Sequence, residues 1–246
     1  LPYPPPRPYR GAGTKRRHSG TAAQRHGGTA ARRHGGRVRS RALLAFFRVA
    51  HYFEDSPAAA SRPGSVTLVL PDLHLKLETD RGVFSPDRID PGTRVLLEGV
   101  PAPPSGGDLL DLGCGYGPIA LTMASRAPSA TVWAVDVNRR SLELCARNAA
   151  SARLDKVRSV HVDEVPPEVR FAAIWSNPAI RIGKPALHAM LTRWLTRLTP
   201  GGAAYLVVQR HLGADSLQRW LVDEGFPATR HASRSAYRIL KVESPL

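Results

Sequence analysis

From residue 66 onward, apolar and polar positions alternate in short runs separated by turn residues. Residues 66–70 and 73–79 alternate around Pro71-Asp72, which predicts a β-hairpin. Asp90 stands ahead of Val95, Leu96 and Leu97 as the cap of a short helix. The run 109–110 ends in Asp111, a glycine-dense turn fills 113–117, and Pro118 opens a helical pattern. A second apolar run, 131–135, stops at Asp136, and 141–150 puts Leu142, Cys145, Ala146 and Ala149 on one helical face. Residues 157–162 predict a strand ending at Asp163, and 171–176 a strand running into Asn177-Pro178. An amphipathic helix over 184–198 carries Leu187, Met190, Leu191, Trp194, Leu195 and Leu198, all expected in the core. Pro200-Gly201-Gly202 breaks to a strand over 203–208, Gly225 ends a helix over 216–224, and 226–230 with 236–242 closes as a hairpin. Strands alternating with helices predict an α/β fold with a doubly wound sheet.

Residues 109–137 form a strand, a glycine loop, a helix, a strand and an acid, which is half of a nucleotide-binding unit. The spacing is Asp111-x-Gly113-x-Gly115-x-Gly117, not G-x-G-x-x-G. A carboxylate two residues before the first glycine repels a pyrophosphate and attracts an ammonium. Asp136, at the end of its strand, can accept from both hydroxyls of a ribose. An amino-acid ammonium and a ribose without phosphate describe S-adenosylmethionine (SAM). A nicotinamide oxidoreductase is remote, because the dinucleotide spacing is missing.

Gly113-Cys114-Gly115-Tyr116-Gly117, with Ala134-Val135-Asp136-Val137-Asn138 after it, resembles the first two motifs of class I SAM-dependent methyltransferases. The resemblance implies a Rossmann-like sheet with an antiparallel last strand, preceded here by a small N-terminal β-hairpin segment. It also implies SAM held by Asp111, Gly113, Cys114, Gly115, Asp136, Val137, Asp163 and Asn177, with Asp163 preferred over Glu164 for the adenine amine. Gly82-Val83-Phe84-Ser85, followed by an acid, a glycine and Leu96-Leu97, is similar to a signature of the ribosomal small-subunit methyltransferase C family. Those enzymes methylate the exocyclic N2 amine of guanine in rRNA, and the resemblance makes Phe84 a candidate to pack over cofactor and base. A place in the hairpin core is the alternative for Phe84. The resemblance spans roughly residues 80–242 and points to a single-domain branch, without the duplicated N-terminal half of the two-domain relatives.

Ser176-Asn177-Pro178-Ala179-Ile180-Arg181-Ile182-Gly183-Lys184 resembles the motif of enzymes that methylate base or glutamine amines. An exocyclic amine is conjugated and weakly nucleophilic. In that motif the Asn oxygen and the carbonyl after it accept the two amine hydrogens, aim the lone pair at the methyl and stabilise the developing charge. Asn177 and Pro178 are therefore the catalytic candidates, and no proton-abstracting base is required before transfer. Ala179 stands where the motif has a second proline, which loosens the turn by about 1 kcal/mol. Ile180 stands where an aromatic often stacks on the base. Ile180, Arg181, Gly183 and Lys184 match the N-P-P-I-R-x-G-K form of single-domain relatives, and Phe84, Ile180, Arg181 and Lys184 form the substrate-binding set. Arg181 and Lys184 are expected at RNA phosphates. Methylation of adenine N6 or of a protein glutamine shares this chemistry, and a degenerate RNA-binding scaffold is the reading outside catalysis.

Composition changes the picture mainly at the N-terminus. Of 35 Lys and Arg, twelve lie within residues 1–50 with no acid, so the net charge of +15 belongs mostly to that tail and the remainder is nearly balanced. The tail is proline-rich and then repeats Arg17-His18-Ser19-Gly20-Thr21-Ala22-Ala23-Gln24 with small changes, a composition that predicts disorder. An RNA tether, an organellar transit segment and an inert upstream extension all fit it. The expected organisation is a basic tail over 1–50, a small hairpin and helix segment over 51–106, and a methyltransferase domain over 107–246. No apolar run approaches the ~20 residues that cross a bilayer. Cys114 and Cys145 have no metal spacing, no metal is expected, and Cys114 reads as a small loop residue. The expectation is a cytoplasmic enzyme whose partner is ribosomal RNA or the small ribosomal subunit.

Overall fold

The structure, a computed structural model, describes residues 60–245. The expectations for residues 1–50 lie outside the described residues. Two strands come first, β1 (Gly64–Leu70) and β2 (Leu73–Thr79), paired antiparallel from Gly64↔Thr79 to Leu70↔Leu73. Helix α1 (Pro91–Gly99) follows, capped by Asp90, whose carboxylate accepts from Thr93 N. Then come β3 (Asp108–Leu112), α2 (Pro118–Arg126), β4 (Thr131–Asp136), α3 (Arg139–Ser151), β5 (Val157–His161) and β6 (Phe171–Ser176). Helix α4 (Lys184–Leu195), β7 (Leu198–Gln209), α5 (Ala214–Asp223), β8 (Ala228–Arg234) and β9 (Tyr237–Glu243) complete the chain.

β3 to β9 form one seven-stranded sheet in the order β5-β4-β3-β6-β7-β9-β8. The pairs β3–β4, β4–β5, β3–β6 and β6–β7 are parallel, while β9 runs antiparallel between β7 and β8. The fold is therefore the Rossmann-like methyltransferase sheet with its antiparallel ending. The chain winds outward from β3 to β5 and then returns to place β6 on the other side of β3. That reversal opens a crevice at the carboxyl ends of β3 and β6, where ligands bind in such sheets.

Period-2 alternation assigns the strands to two cores. Leu109, Val132, Ala134, Ala173 and Trp175 face a layer built from α1, α2, α3 and the hairpin. Leu110, Trp133, Val135, Ile174 and Leu206 face α4 and α5, with Trp194 buried in that layer as expected. The hairpin is tied to the sheet domain through polar contacts as well as Leu68 and Leu77. Asn148 on α3 accepts from Glu78 N (2.7 Å) and donates to Glu78 O (3.0 Å) and Tyr116 O (2.9 Å), so the buried amide is well satisfied. Arg126 grips Asp72 with two bonds and donates a third to Leu97 O.

Pro200-Gly201-Gly202 does not break the chain between elements, as the sequence suggested; it lies inside β7. The register jumps from Phe171↔Leu198 to Ala173↔Ala203, so the extra β7 residues bulge out of the ladder. A bulge suits Pro, which has no N–H to give the ladder, and Gly201 at φ 76°. Leu198 thus begins β7, and α4 ends at Leu195. The strand predicted to reach Val162 ends at His161, and β8 runs over Ala228–Arg234 in place of 226–230.

Candidate active site

The glycine loop leaves β3 and is stitched to the end of β4: Gly113 N and Cys114 N both donate to Val135 O (2.8 and 3.0 Å). At the tip of β4, Asp136 accepts from Gly115 N (2.9 Å) on one oxygen and from Asn138 N (2.9 Å) on the other. These backbone donors fix the carboxylate and leave each oxygen a further lone pair. Burial, the largest influence, holds the Asp136 carboxyl above its ordinary value, against the pull of those N–H groups. Val137 follows, half-buried at the same edge.

Asp111 is fully buried on β3. Its Oδ2 accepts from Ala120 N in the first turn of α2 (2.9 Å), whereas its Oδ1 has no partner among the described residues. Burial first, and Asp136 in the same direction, push its carboxyl well above the usual range, while Ala120 N opposes them. A desolvated carboxylate with an orphan oxygen is costly until a cation reaches it.

The glycines differ in their surroundings. A Cβ on Gly115 meets nothing within 4 Å, and the same is true of Gly113. On Gly117 it would lie 2.7 Å from both Cys145 Sγ and Leu121 Cδ1. The first two face open space and the third is packed. An open cradle, an orphan buried carboxylate and a fixed half-buried carboxylate form a set that suits SAM: an ammonium, a ribose diol and no phosphate. Cys114 is buried, and burial followed by Cys145 pushes its thiol up, which disfavours the reactive thiolate.

Residues 80–90 form a strap bonded to this cradle. The single hydrogen of the Tyr116 hydroxyl is shared between Ser85 O (3.3 Å) and Arg88 O (3.4 Å), and Asn138 Nδ2 donates to Gly82 O (2.9 Å). Burial, followed by Asp90, pushes the Tyr116 phenol up to about 12, so it remains a donor at neutral pH. Val83 takes the buried position on the strap, and Phe84 is 64% exposed. This rules out the hairpin-core alternative for Phe84, because the apolar pair divides between inside and outside.

Asn177 sits at the carboxyl end of β6, beside β3; its neighbour Ser176 donates to Leu112 O (2.6 Å). The Asn177 Nδ2 donates to Asp90 Oδ1 (2.7 Å) and to Thr93 Oγ1 (3.0 Å). No hydrogen bond is made to its Oδ1 among the described residues. Pro178 O accepts from Ile180 N (2.8 Å), an inverse γ-turn centred on Ala179 at φ −71°, ψ 80°. Ile180 packs half-buried against the second core, whereas Arg181 and Lys184 are exposed and form no ion pair among the described residues.

Asp163 lies on the turn after β5, largely exposed and paired with Arg193 (3.1 Å). Glu164 is exposed beside it and accepts from His161 N (3.2 Å). The site thus gathers Asp111, Gly113, Cys114, Gly115, Asp136 and Val137 at the carboxyl ends of β3 and β4, with Asn177 and Pro178 next door, just after β6. Sequence reasoning missed Tyr116 as the link to the strap and Thr93 as a contact of Asn177. It recognised Asp90 only as a helix cap. Local patterns carry the cap, but nothing in them reveals a partner 87 residues away.

A family model for the methyltransferase small domain matches residues 74–241. The uncharacterized protein YbxB of Bacillus subtilis is 34% identical over 169 residues, covering 68% of this chain and 84% of that protein. The ribosomal RNA small subunit methyltransferase C of Hahella chejuensis is 38% identical over 144 residues, covering 56% of this chain and 41% of that enzyme. The chain therefore spans less than half the length of that curated relative. Among solved structures, the T. thermophilus 16S rRNA N2 G1207 methyltransferase in complex with AdoMet and guanosine is similar, with a TM-score of 0.65 and 25% identity. That match covers 76% of this chain and 52% of the other.

Proposed function

The chain belongs to the methyltransferase small domain family, and on that premise we propose that it transfers a methyl group from SAM to the N2 amine of a guanine in ribosomal RNA. It is a SAM-dependent methyltransferase; the guanine amine and the rRNA are our reading of which acceptor it serves. When bound, SAM supplies an electrophilic methyl group on a sulfonium. Asp111 Oδ1 takes the amino-acid ammonium, Asp136 takes the ribose hydroxyls, and the open faces of Gly113 and Gly115 let the ligand approach the backbone. Asp163, engaged by Arg193, is assigned to the rim by the adenine.

The observation that carries the reading is Asn177: its amide nitrogen is committed to Asp90 and Thr93, and its oxygen, at the crevice beside the cradle, has no partner among the described residues. Asn177 Oδ1 accepts one hydrogen of the amine, and the second lone pair of Pro178 O accepts the other. The nitrogen is drawn towards pyramidal geometry with its lone pair aimed at the methyl, and positive charge developing on it meets two oxygen dipoles. The N–CH3 bond forms as the S–CH3 bond breaks, and the product amine then gives its proton to water. Arg181 and Lys184, without carboxylate partners among the described residues, take flanking phosphates, and exposed Phe84 covers the base.

The test is to supply labelled SAM with small ribosomal subunits, naked rRNA and total protein, followed by nucleoside and amino-acid analysis. N2-methylguanosine in RNA is expected. N6-methyladenosine or methylglutamine would move the acceptor to another amine, and no transfer with intact SAM binding would favour the scaffold.

A further inference from the structure

We propose that Asp90 and Thr93 are positioning residues for Asn177, holding its amide in the one orientation that presents oxygen to the acceptor amine. The inference rests on the reading of Asn177 as the amine acceptor and adds the groups that make it one.

An asparagine amide has a donor end and an acceptor end of nearly the same shape, and a half-turn exchanges them. Only the acceptor end helps here, since an NH2 facing an NH2 repels. Asp90 removes the ambiguity: an ionised carboxylate only accepts, so the end facing Asp90 Oδ1 at 2.7 Å must be Nδ2. Thr93 Oγ1 at 3.0 Å supplies the second acceptor for the same nitrogen. With both N–H bonds directed at α1, Oδ1 has to face the other way.

The placement depends on α1. Asp90 Oδ1 also accepts from Thr93 N (3.0 Å), so the cap bond fixes the oxygen that receives Asn177. Gly92 gives the carboxylate its room: a Cβ there would fall 2.9 Å from Asp90 Oδ1 and 2.8 Å from the Tyr237 ring. Thr93 is buried, and no Lys or Arg pairs with Asp90 among the described residues. An unpaired negative charge behind the amide nitrogen polarises the amide and enriches its oxygen, which faces the site of developing positive charge. A helix cap alone needs none of this, because Ser or Asn caps as well as Asp.

That interchangeability separates the two roles. Asp90→Asn keeps a good cap while removing the charge and the acceptor-only character. Its kcat should fall about tenfold, with the unfolding midpoint and the KM values for SAM and RNA nearly unchanged. Thr93→Val, which keeps the shape, should do the same more weakly. Asp90→Ala should lose about a hundredfold, and combining it with Asn177→Ala should cost no more than Asn177→Ala alone, since residues acting through one group are not additive.

A readout independent of turnover is the side-chain amide pair of Asn177 in a 1H–15N spectrum, assigned by its loss in Asn177→Ala. It should be shifted and slow to exchange in the wild type and move towards the free-amide position in Asp90→Asn. Wild-type kcat in folded Asp90→Asn, a loss that adds to that of Asn177→Ala, or an unmoved amide resonance would each overturn the inference. If the wild type transfers methyl to no acceptor, the proposed function fails, and the resonance still decides the orientation.

Discussion

Gly115 and Gly117 offer a paired perturbation that separates cofactor binding from folding. Both have positive φ, 53° and 98°, so an alanine at either carries a backbone cost of about 1–2 kcal/mol. The surroundings then divide them. At Gly115 the new methyl enters open space, and the backbone cost is the whole effect on stability. At Gly117 it is driven to 2.7 Å from Cys145 Sγ and Leu121 Cδ1, which adds the ~1–3 kcal/mol typical of overpacking. In a domain of this size each kcal/mol moves the melting temperature by about 2–4 °C. Gly117→Ala should therefore melt roughly 4–20 °C early, and Gly115→Ala only about 2–8 °C early. SAM affinity should rank the other way per kcal/mol of stability lost. Gly115→Ala should weaken binding at least about tenfold, or ~1.4 kcal/mol, because its methyl occupies the ligand's approach. Calorimetric titration at a temperature where both variants are folded, beside thermal melts, decides it. Gly115→Ala with wild-type affinity, or with the larger drop in melting temperature, would refute the cradle.

The buried Asp111 predicts a pH effect. Its raised carboxyl pKa means that the native state holds the proton more tightly than the unfolded chain, whose ordinary value is 3.8. Stability of the ligand-free protein should fall as pH rises from that value through the raised one, with the loss complete above it. Asp111→Asn should flatten this slope, raise the melting temperature near neutral pH and abolish tight SAM binding; an unchanged slope in melts across pH would contradict it. Ala179→Pro suits the observed φ of −71° and removes no hydrogen bond made by Ala179 N. It should stabilise by about 0.4–1 kcal/mol in denaturant melts without slowing transfer, and a destabilised variant would show that the turn is drawn wrongly.

Much of this architecture is written locally. The run into Asp111, the glycines and Pro118 specify a strand, a turn and a helix within ten residues, and period-2 alternation sorts Leu109 and Leu110 to opposite cores. The Asp90 cap and the Asn177-Pro178 ending are equally local. The relations that make a site from these parts are not. Asn177 meets Asp90 across 87 residues, a contact that exists only once β6 has returned beside β3, and Tyr116 reaches Arg88 across 28. Composition also misleads where tertiary pairing prevails: Pro200-Gly201-Gly202 has the chemistry of a turn, yet it is carried as a bulge in β7 because ladder bonds continue on both sides. Asp163 shows the same limit, since its pairing with Arg193 depends on how α4 packs.

The central claim is that Asn177 aligns the acceptor amine, and single-turnover methyl transfer by Asn177→Ala tests it most directly. Removal of one such aligned acceptor should slow transfer to rRNA by about 10²–10³-fold. RNA affinity should hold within a few-fold, because phosphate contacts supply most of it. N2-methylguanosine formed by the wild type and lost to that degree in the variant is the predicted result. Transfer by Asn177→Ala within a few-fold of the wild-type rate, at equal SAM and RNA occupancy, would contradict the account.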